Sequence, residues 1–210
     1  MSFTDQFTEY HKDILQEIGN IGAAHAATSL SQLIDKKIDL TVPSVRLVTF
    51  DDMMEIVGGP DRVIVSVFLR IEGDAPGSMF FVLPPHQANR IIARMTNSSF
   101  SIEDNPEDDI AISAIHELGN ILSGSYLSSL SDFTNLRVQP SVPSVAVDMV
   151  GAVLSFGLIE LSQVSDYAIV VDTTLSDSDG QEDIEGHFFL LPDPDSFETI
   201  FEALGVHKYE

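Results

Sequence analysis

The chain has 210 residues, with ten Lys and Arg against 33 Asp and Glu for a formal charge of −23, and no cysteine. That charge repels nucleic acid and anionic membrane surfaces. The missing cysteines exclude disulfides, thiolate metal sites and a cysteine nucleophile. A hydrophobic content of 44% with 20% charged residues is that of a folded protein. No apolar run approaches the roughly 18 to 20 residues of a bilayer span, and no export signal opens the chain, so a cytoplasmic protein without membrane insertion is expected.

In chain order, a long helix is expected over 6–34, free of proline. The segment Val42-Pro43-Ser44-Val45 then leads into a strand, with Pro43 at a strand start or edge because proline donates no ladder bond. Asp51–Val57 reads as a short helix, Val63–Ile71 as a β-branched strand, and Phe80–Leu83 as a second strand behind a turn. A helix over 85–96 opens just after a proline that suits a first helical turn. Asn97–Pro106 is polar and acidic and reads as a linker. The pattern then starts again: a helix over 107–131, Val142-Pro143-Ser144-Val145, a strand at Tyr167–Leu175, an acidic loop at Ser176–Glu185, a Phe-Phe strand, and a helix over 194–204.

This is an internal duplication. At an offset of 100 residues, Glu17, Gly19, Asn20, Ile21 and Ser29-Leu30-Ser31 fall on Glu117, Gly119, Asn120, Ile121 and Ser129-Leu130-Ser131. Later the register drifts, with Ile64-Val65 laid on Ile169-Val170 and Phe80-Phe81 on Phe188-Phe189. The expected fold is α+β: a pseudo-two-fold duplicated unit whose largely antiparallel sheet carries two long helices. It forms one domain over 1–210, with halves at about 1–97 and 106–210. The duplication supplies a pseudo-dimer within one chain, and a monomer is expected.

Asp13, Glu17 and Asn20 are spaced i, i+4, i+7 and share an arc of about 60° on one helix face. Ile14, Ile18, Ile21 and His25 lie about a quarter turn away and are expected to form the buried stripe, with His25 as a core histidine. The second helix repeats the polar stripe with Ser113, Glu117 and Asn120. Exposed Glu and Asn are ordinary on a helix. Here, however, Gly-Asn, a pair of poor helix formers, stands at the same place in both halves, which points to a constraint other than helix stability. Ser113 and His116 do not make a hydrolase triad, since no G-x-S-x-G elbow surrounds the serine. Asp177-Ser178-Asp179-Gly180 does not keep calcium-loop register.

The pattern [Asp/Ser]-x3-Glu-x2-Asn-x22-Pro occurs twice, as Asp13, Glu17, Asn20, Pro43 and as Ser113, Glu117, Asn120, Pro143. In this the chain resembles the CheC/CheX/FliY family of phosphatases over nearly its whole length. The resemblance implies a substrate, the aspartyl-phosphate of phosphorylated CheY, whose own pocket holds Mg²⁺ and a lysine. It implies that Asn20 or Asn120 orients the attacking water while Glu17 or Glu117 pairs with that lysine. Asp13 and Ser113 would be supportive, and Pro43 and Pro143 structural. No cofactor or metal of the chain's own is implied. The resemblance also implies binding to the receptor deamidase CheD. An interaction module that regulates CheD without catalysis is the alternative reading, and a switch phosphatase at the flagellar motor a remoter one.

Overall fold

The computed structural model describes residues 7–161, 167–177 and 183–205. Among them the first half runs α1 (Glu9–Ile34), β1 (Ile38–Thr41), β2 (Val45–Thr49), α2 (Phe50–Ile56), β3 (Val63–Gly73), β4 (Gly77–Leu83) and α3 (Pro85–Thr96). The second runs α4 (Asp109–Thr134), β5 (Val138–Pro140), β6 (Ser144–Met149), α5 (Val150–Leu161), β7 (Tyr167–Asp177), β8 (Ile184–Pro192) and α6 (Pro194–Ala203). The expected long helices are present with slightly different ends; residue 6, and residues 178–182 of the expected acidic loop, lie outside the described residues.

Local chemistry sets the helix ends. Asp108 caps α4 by accepting from the Ile110 and Ala111 N–H groups, both at 3.0 Å. Proline opens α3 and α6, where a missing N–H costs nothing. Asp35, Asn97 and Asn135 close α1, α3 and α4 in the left-handed region, which Asp and Asn tolerate better than most side chains.

All the strands join one antiparallel sheet in the order β1-β7-β8-β4-β3-β5, with β2 also on β7 and β6 also on β3. The fold is α+β. The strands are exchanged: β1 and β2 of the first half pair with β7 of the second, while β5 and β6 pair with β3 of the first. At the centre β4 meets β8, and Phe81 packs tilted against Phe188 at 4.5 Å between ring centroids.

Both faces of this sheet are covered. On one, α1 and α4 bury Leu15, Ile18, Leu118 and Leu122 against Val65, Val67, Phe81 and Phe188. On the other, α2 and α5 bring Met53, Val150 and Leu154 onto Ile64, Phe80, Val82 and Phe189. The second helix layer extends the sequence reading, which has α2 alone and no helix at 150–161. The residues VGAVLSFGLIEL are nearly all apolar and offer no 3.6-residue alternation to read.

The ladders also correct the alignment of the halves within the strands. Val45 pairs with Val171 and its counterpart Val145 pairs with Val67, so Val67 corresponds to Val171 and Val65 to Ile169. Val65 pairs with Leu83 and Ile169 with Leu190, which makes Phe81 the counterpart of Phe188. The sequence alignment is therefore one residue out in both strands. A one-residue slip would turn each side chain to the wrong face.

Candidate functional site

On α1 the buried residues are His11, Leu15, Ile18, Gly19, Gly22, Ala23, Ala26 and Leu30. At about 100° per residue that face is centred roughly opposite Asp13, Glu17 and Asn20. The core stripe is thus rotated from the expected one. Ile14 and Ile21 are only half-buried and His25 is exposed, so His25 is not a core histidine. The rotation follows from where α1 packs. Gly22 lies against α4, where a Cβ would meet the Tyr126 backbone at 3.0 Å, and that crossing fixes which face turns inward.

The polar stripe consequently looks away from the core. Asp13 and Glu17 are exposed on α1; Ser113, Glu117 and Asn120 are exposed on α4. Within each helix the acid and the amide are three residues apart, on neighbouring positions of the surface. Among the described residues, none of Asp13, Glu17, Ser113, Glu117 or Asn120 makes a side-chain hydrogen bond or ion pair. The four motif residues thus come together as two pairs, one on each long helix.

The two pairs differ in what lies beside them. Asn20 is half-buried, and its carboxamide oxygen accepts from the Val42 N–H at 2.9 Å, while its Nδ2 reaches the Val42 carbonyl at 3.5 Å. One turn earlier, Gln16 Nε2 donates to the carbonyls of Val42 and Pro43 at 3.1 and 3.0 Å. The Val42 side chain sits over Gly19 and is 2% exposed. Asn20, unlike Asn120, is therefore not free in solvent.

At the second site, the space over Gly119 is filled by Val67 of β3, whose methyl lies 2.5 Å from where a Cβ would be. Val142, the counterpart of Val42, is 84% exposed, and His116 stands where Gln16 does in the first half, with no hydrogen bond among the described residues. Pro43 is exposed in the break between β1 and β2, and Pro143 is buried in the break between β5 and β6. Each proline interrupts an outer strand, where the missing N–H leaves no central ladder bond unmade.

Gln16 was not among the residues singled out from sequence. Its signal was the Gln-to-His difference at the position before the otherwise repeated Glu.

Residues 11–46 and 110–147 match the model of the CheC-like family, and both stretches contain a motif pair. A Bacillus subtilis protein named CheY-P phosphatase CheC is 52% identical over 207 residues, 98% of this chain and 99% of that protein. The chain belongs to the CheC-like family. The B. subtilis flagellar motor switch phosphatase FliY is 28% identical over 141 residues, which are 67% of this chain and 36% of that protein. The crystal structure of Thermotoga maritima FliY has the same fold, with a TM-score of 0.77 at 24% identity over 95% of this chain and 98% of that one. Among the described residues of this CheC-like chain, no helix is long and apolar enough to cross a membrane, and no three His, Asp or Glu side chains are grouped to hold a metal ion.

Proposed function

We propose that the chain accelerates hydrolysis of the aspartyl-phosphate of CheY, with Glu117 and Asn120 as one catalytic pair and Glu17 and Asn20 as the other. The observation that carries this reading is the second pair: an acid and an unbonded carboxamide, exposed on neighbouring positions of one rigid helix. The family membership and the 52% identity to a CheY-P phosphatase support the same reading.

In this mechanism the helix face docks on the response regulator. Glu117 pairs with the lysine of the CheY pocket, and the Asn120 carboxamide holds a water in line with the phosphorus. A P–O bond forms from that water as the bond from phosphorus to the aspartyl oxygen breaks. The carboxylate leaves, and the water's proton passes to the phosphate or to solvent. The Mg²⁺ belongs to CheY and neutralises the phosphoryl oxygens. Phosphoryl transfer of this kind needs positioning more than covalent help. Orienting one water is worth about 3 kcal/mol, which is roughly 10²-fold in rate. Asp13 and Ser113 border the pairs and assist docking; Pro43 and Pro143 shape the strand breaks beside them.

The test is the decay of phosphorylated CheY with Mg²⁺. Wild-type protein shortens the phosphoryl lifetime, and Asn20→Ala with Asn120→Ala abolishes the effect while circular dichroism stays native. A double variant as active as wild type would refute the mechanism. The assay is run with and without CheD; activity in its absence separates a phosphatase from an adaptor.

A further inference from the structure

The two sites differ in a way that points to regulation of the first, an inference that rests on the phosphatase reading above. We propose that Gln16 is a positioning residue that latches the first site shut, by holding the Val42–Pro43 segment against Asn20.

The bonds at the first site use the very groups that catalysis needs. The Asn20 carboxamide oxygen is taken up by the Val42 N–H at 2.9 Å. Gln16, one turn earlier on the same helix, holds the carbonyls of Val42 and Pro43 at 3.1 and 3.0 Å. The Val42 side chain, 2% exposed over Gly19, anchors the segment in place. The segment is therefore fixed at three points, and Asn20 cannot turn out toward a partner without breaking the bond to Val42.

The unlatched arrangement exists in the same molecule. At the second site Val67 takes the space over Gly119, Val142 is 84% exposed, and His116 makes no clamp among the described residues. Asn120 is left exposed and unbonded. One chain thus displays the same segment in two conditions, clamped beside α1 and released beside α4. The side chain that differs at the clamp is Gln against His. A site that works only when open has an activity scaled by its open fraction, so weakening the clamp raises turnover at the first site.

The experiment isolates that site in an Asn120→Ala background and measures decay of phosphorylated CheY after adding Gln16→Ala or Gln16→His, the latter copying the second half. The expected result is at least a threefold gain in rate per mole of protein. Amide hydrogen exchange at Val42 should quicken in the same variants. A folded variant with unchanged or lower activity overturns the latch, and loss of folding in both would make Gln16 a structural clamp only, which overturns it as well. An active Asn20→Ala/Asn120→Ala protein would instead sink the phosphatase reading itself. The two failures are therefore told apart.

Discussion

Asn20 and Asn120 occupy the same place on their helices, and hydrogen bonding separates them. Asn120 is exposed with its carboxamide unbonded, whereas Asn20 must first give up the Val42 N–H. A neutral hydrogen bond contributes about 1 kcal/mol net, and turning Val42 out of its pocket adds about 1.5 kcal/mol or more of lost burial. The two together correspond to a deficit of nearly two decades at ~1.4 kcal/mol per decade. Asn120→Ala alone is therefore expected to remove most of the CheY-P phosphatase activity, and Asn20→Ala alone a small part. Initial rates of CheY-P decay with each single variant check this; equal losses would count against the difference. The motif pairs were legible because the same Glu, Gly and Asn recur 100 residues apart. The bond from Asn20 to Val42 was not, since it joins a helix to a strand break 22 residues away and depends on which side chain covers Gly19.

The helices themselves carry two further consequences. Gly22 lets α1 meet α4, and a Cβ there would lie 2.8 Å from the Tyr126 ring and 3.0 Å from its Cα. The ring can shift, but the backbone cannot without moving α4. Gly22→Ala should therefore lower stability by about 1–3 kcal/mol despite the better helix propensity of alanine, and a fall in the urea midpoint checks it. At the start of α1, His11 is buried against Phe7 and Phe201, and its Nδ1 accepts from the Thr8 N–H at 2.9 Å. Burial holds its pKa below the ordinary 6.5. The unfolded chain then takes up the proton first, so the stability from neutral His11 is present above pH 6.5 and is lost as pH falls below it. The urea midpoint of wild type should fall relative to that of His11→Phe between pH 7 and pH 5.5. A constant difference over that interval would mean that His11 does not titrate separately in the two states. The long helices were plain in the sequence as proline-free spans. The buried face of α1 was misjudged because small residues, Gly22, Ala23 and Ala26, make the contact and carry little hydrophobic signal.

At the scale of the whole molecule, the strand exchange decides what can fold. Strands β1 and β2 have their ladder partner in β7, and β5 and β6 have theirs in β3. Side chains reinforce the same seams. Arg46 and Ser44 of the first half bond Asp172 of the second, which also holds His187 Nδ1 at 2.8 Å. Burial pushes the Asp172 carboxyl up, but the bonds from His187, Ser44 and Arg46 outweigh it and hold its pKa well below the usual carboxylate range. This contribution is present above the unfolded carboxylate pKa of about 3.9 and is lost as pH falls below it. Across the centre of the sheet, Arg70 of β3 grips the carboxylate of Asp193, just past β8, at 2.7 and 3.2 Å. Neither half keeps its strand pairing or a covered core when the other is removed: residues 1–97 alone would leave β1 and β2 unpaired and strip β4 of its neighbour β8. Unpaired edges and uncovered apolar faces of that size do not support an independent fold. The chain is therefore expected to unfold in a single transition, with near- and far-ultraviolet circular dichroism coinciding in urea. The piece 1–97 should lack native helix signal by itself and regain it when mixed with 106–210. A stable, cooperatively folded 1–97 fragment would show that the exchanged strands are dispensable, and that α1 holds its motif face without the other half.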